Sequence, residues 1–286
     1  MKIYKTNDMI KKYIKCLFAG VTVFLIPECL IAQSLPSAAT NVPLKSLRDN
    51  NWKLIFSDDF KASGKFDENK WSYSPRGNPA WAKFLTPSAD YVFQKGGKLI
   101  LRMNDQVISD DKIPYHSGGI QSSEKFNLTY GKVEVRAKFN KGTGSWPAIW
   151  MMPEKPLYGN WPGSGEIDIM EHVNHENVVH QTIHNGQVTD AEGGSSATHK
   201  ATYKENKYNT YSIIWMPNSI TFYVNGIHQY TYQRDAQGGS KQWPFDKPFY
   251  LILNQSGGAG WPGIIEKADL PFKMEVDWVK LYGSDY

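Results

Sequence analysis

The chain is nearly without cysteine. Its 286 residues hold two, Cys16 and Cys29. It also lacks a comfortable membrane span: "CLFAGVTVFLI" is its early apolar run, well short of the ~20 residues a spanning helix needs. That run follows Lys2, Lys5, Lys11, Lys12 and Lys15 and leads to a small residue, Ala32, in "LIAQS", the order of a secretory signal peptide. Residues 1–33 are therefore expected to be removed on export, to the periplasm, the cell surface or the medium. Both cysteines leave with them, which excludes a disulfide, a Cys–metal site and a Cys nucleophile in the mature chain. An excess of one charge is missing too. The formal +4 falls to 27 basic against 26 acidic residues once the leader is set aside. A near-neutral body argues against nucleic acid, or any anionic polymer held by charge alone.

No long stretch repeats with a helical period. Residues 34–50, polar with two prolines, read as a short linker. Beyond them short runs alternate as half-buried strands do. In "GKVEVRAKF" Val133, Val135, Ala137 and Phe139 fall on one face, and Lys132, Glu134, Arg136 and Lys138 on the other. "SITFYVNGIHQYTY" has Asn225-Gly226 where a tight type I′ hairpin needs it. Many strands with frequent turns predict an all-β chain, a β-sandwich or jelly roll, as one domain over 51–286.

One strand is unusual. "GSGEIDIMEHV" places Glu166, Asp168 and Glu171 among Ile167, Ile169, Met170 and Val173. Residues i and i+2 share a strand face, so Glu166 and Asp168 point together. Strict alternation would send Glu171 into the core, at high cost for a carboxylate. A one-residue bulge at Ile169–Met170 would bury both apolar side chains and return Glu171 to the acidic face. The two Glu then lie about four strand positions apart, roughly 13 Å between backbones. Side chains leaning inward across a concave groove could bring the carboxyls to the ~5–5.5 Å of a retaining glycosidase, although spacing alone also allows the wider inverting arrangement. Crowded carboxylates cannot all ionise freely, so one should keep its proton near neutral pH. Trp146 and Trp150, four apart in "GSWPAIWMM", share a face as sugar-stacking rings would. Trp81 in "RGNPAWAKF" and Trp261 in "GAGWPG" sit in Gly/Pro-rich loops and suit the apolar faces of sugar rings. Asn78 and Asn254 are candidates for bonding hydroxyls. Trp52, Trp71, Trp215 and Trp278 read as core or rim. His172, His175 and His180 fit no helical zinc spacing.

"GEIDIMEHV" resembles the active-site signature of glycoside hydrolase family 16 in its bulged E-x-D-x-x-E form. "YGKVEVRAKF", "GSWPAIWMMP", "FYVNG", "PFYLILN", "GWPG" and "MEVDWVKLY" are similar to family segments in family order. The resemblance implies a jelly roll with a concave glycan groove and a retaining double displacement. Glu166 matches the nucleophile, Glu171 the acid/base, Asp168 the assisting acid and His184 a histidine near the cleavage point. It implies a monomer acting on polysaccharide, most like the endo-β-glucanases that cut β-1,3- or mixed β-1,3/1,4-glucans such as laminarin and lichenan. Gly119, in "SGGIQS", stands where many of those enzymes carry arginine, and family hydrolases of algal galactans, agar or porphyran, also tolerate "SGGI". The Trp-rich, Arg- and Lys-poor groove segments favour neutral glucan. A non-catalytic glycan-binding protein on the same scaffold would use the tryptophans but not three acids. The chemistry requires no cofactor. The resemblance also implies a structural calcium ion on the far face, at Asp59, the Gly97 carbonyl and Asp277, since oxygen ligands suit calcium.

Overall fold

The computed structural model describes residues 52–283. The expected leader (1–33) and linker (34–50) lie outside the described residues. Fifteen strands follow in chain order: β1 (Lys53–Asp58), β2 (Ser72–Tyr73), β3 (Val92–Gln94), β4 (Leu99–Asn104), β5 (His116–Gln121), β6 (Gly131–Phe139), β7 (Ser145–Pro153), β8 (Glu166–Glu171), β9 (Val178–His184), β10 (Thr198–Thr202), β11 (Asn209–Met216), β12 (Ser219–Val224), β13 (Ile227–Gln233), β14 (Phe249–Gly257) and β15 (Phe272–Gly283).

Strand pairing is antiparallel throughout these elements, as short connections between successive strands favour. One layer runs β10-β9-β8-β7-β14-β5, with β2 on the far side of β5. The other runs β4-β15-β6-β11-β12-β13, with β1 on β15 and β3 on β4. The layers join where β4 meets β5, Met103 opposite Ser117. Gly118 follows in the crowded stretch where β5 passes the chain at Tyr91, and a Cβ on it would collide with the Tyr91 carbonyl. This is the all-β jelly roll the alternating runs predict.

The core fills the space between the layers. Alternation along β6 puts Val133, Val135 and Ala137 inside, fully buried, against Ile167, Ile169, Met170 and Ile183 of the other layer. Trp71 and Trp215 are core side chains, while Trp52 and Trp278 are half-buried at the rim. Asn225 and Gly226 both have positive φ, 53° and 75°, which is the backbone a type I′ turn demands between β12 and β13. The face of β8 that turns away from this core is left to the acids.

Candidate active site

The expected bulge is present. Across β7, Trp150 faces Asp168, Ile149 faces Met170 and Ala148 faces Glu171, so one residue of β8 is extra. The same slip shows against β9 between Asp168 and Glu171. Ile169 and Met170 are both fully buried, and Glu166 and Glu171 are largely but not wholly buried on the opposite face. Burying the second apolar side chain in place of a carboxylate is what makes the bulge favourable.

Each acid has a defined neighbour on β9: His184 beside Glu166, Thr182 beside Asp168 and His180 beside Glu171. Directly opposed side chains on one face lie close enough to interact. Two indoles hold the glutamates from different segments. Trp146 Nε1 donates to Glu171 Oε1 at 2.9 Å, and Trp161 Nε1 donates to Glu166 Oε2 at 2.5 Å. Trp161 projects from the loop before β8, which is pinned by Ser164: its hydroxyl accepts from the Tyr158 N–H and donates to the Gly159 carbonyl. Gly163 is needed there, because a Cβ would stand 2.8 Å from the Tyr158 carbonyl.

Thr189 Oγ1 accepts from the Asn185 N–H at 3.2 Å and lies 3.0 Å from His184 Nδ1. This contact fixes the orientation of the ring and so aims its other nitrogen, Nε2, at the acid row. That nitrogen lies 3.3 Å from Asp168 Oδ2. One atom each of Glu166, Asp168 and His184 falls within 4.8 Å of the other two. An imidazole beside carboxyls driven toward neutrality suits proton traffic better than cation binding.

Burial is the main cause that raises all three carboxyls. Repulsion adds to it, from Asp168 at Glu166, from Glu171 at Asp168 and from Glu166 at Glu171. Glu171 is pushed up to about 7. Asp168 is 1 % exposed and neither of its oxygens has a well-formed hydrogen bond, so the neutral form is the cheaper one there. His184 and an indole N–H offset part of this at both glutamates, Trp161 at Glu166 and Trp146 at Glu171. The row therefore carries fewer than three charges at neutral pH, and its titration steps belong to the group as a whole. One carboxylate free to attack and one carboxylic acid free to donate are the two parts a retaining glycosidase needs.

A family model, "Glycosyl hydrolases family 16", matches residues 82–280. The chain belongs to that family. Among curated relatives, the "Keratan-sulfate endo-1,4-beta-galactosidase" of Sphingobacterium multivorum is 59 % identical over 233 residues, 81 % of this chain. The chain spans only 55 % of that relative's length. The "Beta-glucanase" of Rhodothermus marinus is 33 % identical over 250 residues, 81 % of this chain and 85 % of the relative. The solved laminarinase of Rhodothermus marinus superposes with a TM-score of 0.75 at 30 % identity, covering 84 % of this chain and all of that one. Family 16 hydrolysis needs no cofactor.

The remaining groove residues of this family 16 domain divide by exposure. Trp261 is 47 % exposed and meets Trp146 edge-on at 5.8 Å; it also packs on His180 at 4.7 Å. Trp150 differs from the expectation of an open stacking ring. It is buried under Trp81, at 4.7 Å, in a small apolar cluster with Ala148 and Ile252. Asn254 is wholly buried, and its amide is committed to Trp150 Nε1 and Ser256 Oγ instead of being open to a hydroxyl. It positions the groove floor. Asn78 is exposed on the rim. Gly119 pairs with Asn254, and a side chain there would press on Leu85, Asn254 and Ser74 at 3.0–3.3 Å. Sequence reasoning passed over Trp161, and weighed His180 only as a zinc ligand. Trp161 was signalled by a Trp-Pro pair five residues before Glu166 in a Gly-rich segment; His180 shows only once β8 and β9 are in register.

The expected calcium ligands do come together, around one surface depression with Lys61, Lys98 and Lys280. They do not fit the ion. Lys98 Nζ lies 2.9 Å from Asp277 Oδ1 and donates to the Gly97 carbonyl at 3.1 Å. Arg136 takes the other Asp277 oxygen, and Lys61 holds Asp59 at 2.5 Å. An ammonium thus bridges two of the three oxygens a calcium would use. Melting curves in EDTA and in millimolar calcium should coincide. A calcium-induced rise of several degrees, the mark of a ligand bound only by the native state, would show that the ion displaces Lys98.

Trp146→Phe tests the indole clamp. The N–H lowers the Glu171 value, so its loss should raise it and move the alkaline limb of the kcat/KM profile upward from near pH 7. Below the limb activity should fall by less than about tenfold, the scale of one net hydrogen bond. An unmoved limb would sink the assignment of Glu171 as the acid.

Proposed function

We propose that this family 16 domain is a retaining endo-β-galactosidase acting on a chain of alternating galactose and N-acetylglucosamine, the keratan type. The observation that carries the chemistry is the bulged row in which Glu166 and Glu171 share one face, each held by an indole N–H and each raised above the usual carboxylate range. The observation that favours galactan is identity: 59 % to the Sphingobacterium multivorum enzyme against 33 % to the Rhodothermus marinus glucanase. Gly119 agrees with it, since the groove floor has no arginine at the position many glucanases use. The second reading, hydrolysis of β-1,3- or mixed-linked glucan, is favoured by the likeness to solved laminarinases. Export by residues 1–33 belongs to the same proposal, because a polymeric substrate lies outside the cell.

In the first step Glu166 attacks the anomeric carbon of the galactosyl unit as Glu171 passes its proton to the departing oxygen. The C–O bond to the leaving sugar breaks and a glycosyl–Glu166 ester forms. Glu171, now ionised, takes a proton from water, whose oxygen displaces Glu166. Asp168 and His184 hold a proton beside Glu166 while its charge is consumed and restored. The rate should fall as pH rises through about 7, where Glu171 loses the proton it must donate.

Product profiles on keratan sulfate, laminarin, lichenan, agarose and porphyran decide the substrate. New galactose reducing ends from keratan sulfate are expected; faster release from laminarin or lichenan would make it a glucanase. Proton NMR of the first product should show the β-anomer, and initial α-anomer would overturn retention.

A further inference from the structure

We propose that a cavity beside the acid row, built by the segment after β2, binds a sulfate ester on the glycan. The cavity, of about 500 Å³, is lined by Arg76, Gly77, Asn78 and Lys83. Two of the four are cations and none is an acid. The inference rests on the galactan reading and names the sulfated form as the substrate.

The segment that builds it is tied to the groove floor. It leaves β2, and its single turn at Ala80–Ala82 sets Trp81 against Trp150. The Trp81 carbonyl accepts from Ser256 Oγ, and the Gly77 N–H closes the loop on the Ala82 carbonyl at 3.2 Å. Arg76 is fixed in place: Nε donates to the Leu85 carbonyl at 2.8 Å, and its terminal nitrogens bond Thr86 Oγ1 and both Asp111 oxygens. Asp111 offsets most of that charge, and one guanidinium N–H is left over. Lys83 is different. Among the described residues it has no ion pair, and its ammonium lies 5.5 Å from the Phe84 ring centre. Its charge is available to a ligand.

A sulfate monoester is a singly charged, acceptor-only group. It matches an unpaired ammonium, the Asn78 amide and the spare Arg76 N–H, none of which needs a partner from the acid row. A neutral glucan would use none of this. Position agrees. Trp81, two residues before Lys83, packs on Trp150, which faces Asp168 across β7 and β8, so the cavity sits beside the floor that carries the acids without including any of them. The site therefore recognises decoration on a flanking unit and leaves the galactose being cut to Glu166 and Glu171.

Binding tests this apart from catalysis. Glu166→Gln protein is titrated calorimetrically with keratan sulfate oligosaccharides and with the same oligosaccharides chemically desulfated. The sulfated form should bind three- to tenfold more tightly, and the advantage should shrink in high salt. Adding Lys83→Gln, an exposed change, should abolish the advantage while shifting the desulfated Kd by less than twofold. Equal affinity for the two forms, or an advantage that survives Lys83→Gln, overturns the sulfate site. The galactan reading fails separately, if wild-type protein releases no reducing ends from either polymer. Preferential, Lys83-dependent binding in that case would still establish the cavity as a sulfate site.

Discussion

Glu166→Gln should lose nearly all turnover, roughly 10⁴-fold or more, the scale on which removal of a covalent nucleophile acts. The substitution keeps shape and takes away ionisation. The Trp161 indole, which now donates to Glu166 Oε2, can donate equally well to an amide oxygen. Glu166 is not wholly buried and its neighbours Ile167 and Ile169 stay buried, so the melting temperature should not fall. It should hold or rise, because a raised carboxyl in a repulsive row is replaced by a neutral amide. Turnover and thermal unfolding measured on the same preparation give the test. Near-normal activity at matching stability would remove Glu166 from the mechanism.

Glu171→Ala should behave differently, and the difference separates the two roles. Proton donation contributes about 10²–10⁴-fold, so hydrolysis of the natural polymer should drop by that much. A nitrophenyl glycoside carries a leaving group that departs without a proton, so Glu166 should still form its ester with that substrate. Water then lacks a base, and the ester should accumulate as a burst. Removing the side chain opens space beside Ala148 and His180, its neighbours on β7 and β9. Azide can enter there without needing a base and should release a β-glycosyl azide. Glu166→Ala has no ester to capture, and azide can only attack from its side to give the α-product. Proton NMR of both reactions reads the outcome. A β-azide from Glu166→Ala with an α-azide from Glu171→Ala would exchange the two assignments.

The sequence showed most of what alternation and cost can reveal. Val133, Val135 and Ala137 could be placed inside because a two-residue period leaves no other face for them. The bulge in β8 could be placed because burying Glu171 is too costly. The Asn225-Gly226 turn followed from the φ angles it requires. What stayed hidden depends on distance along the chain. Trp150 looked like an open ring because nothing local to it announces that Trp81, 69 positions earlier, lies on top. Asn254 looked free because its partner Trp150 is reached only when β14 pairs with β7. His180 joined the site through register with Glu171 and not through any motif. At Asp277 the sequence suggested a calcium ligand, but the carboxylate is taken by Lys98 and Arg136, and Arg136 lies 141 positions away.

The extra residue in β8 has a consequence for chain length. Ile169 and Met170 together occupy the space opposite one residue of β7, and every pair on either side of them is in register: Asp168 with Trp150 and Thr182, Glu171 with Ala148 and His180. A chain shorter by Met170 would read Glu-Ile-Asp-Ile-Glu. Plain alternation would then present the same three acids to the same neighbours, with one fewer buried side chain and no slip to absorb. Gain or loss of a single codon at this point is thus invisible to the reacting groups. Two lengths of strand can present one acidic row.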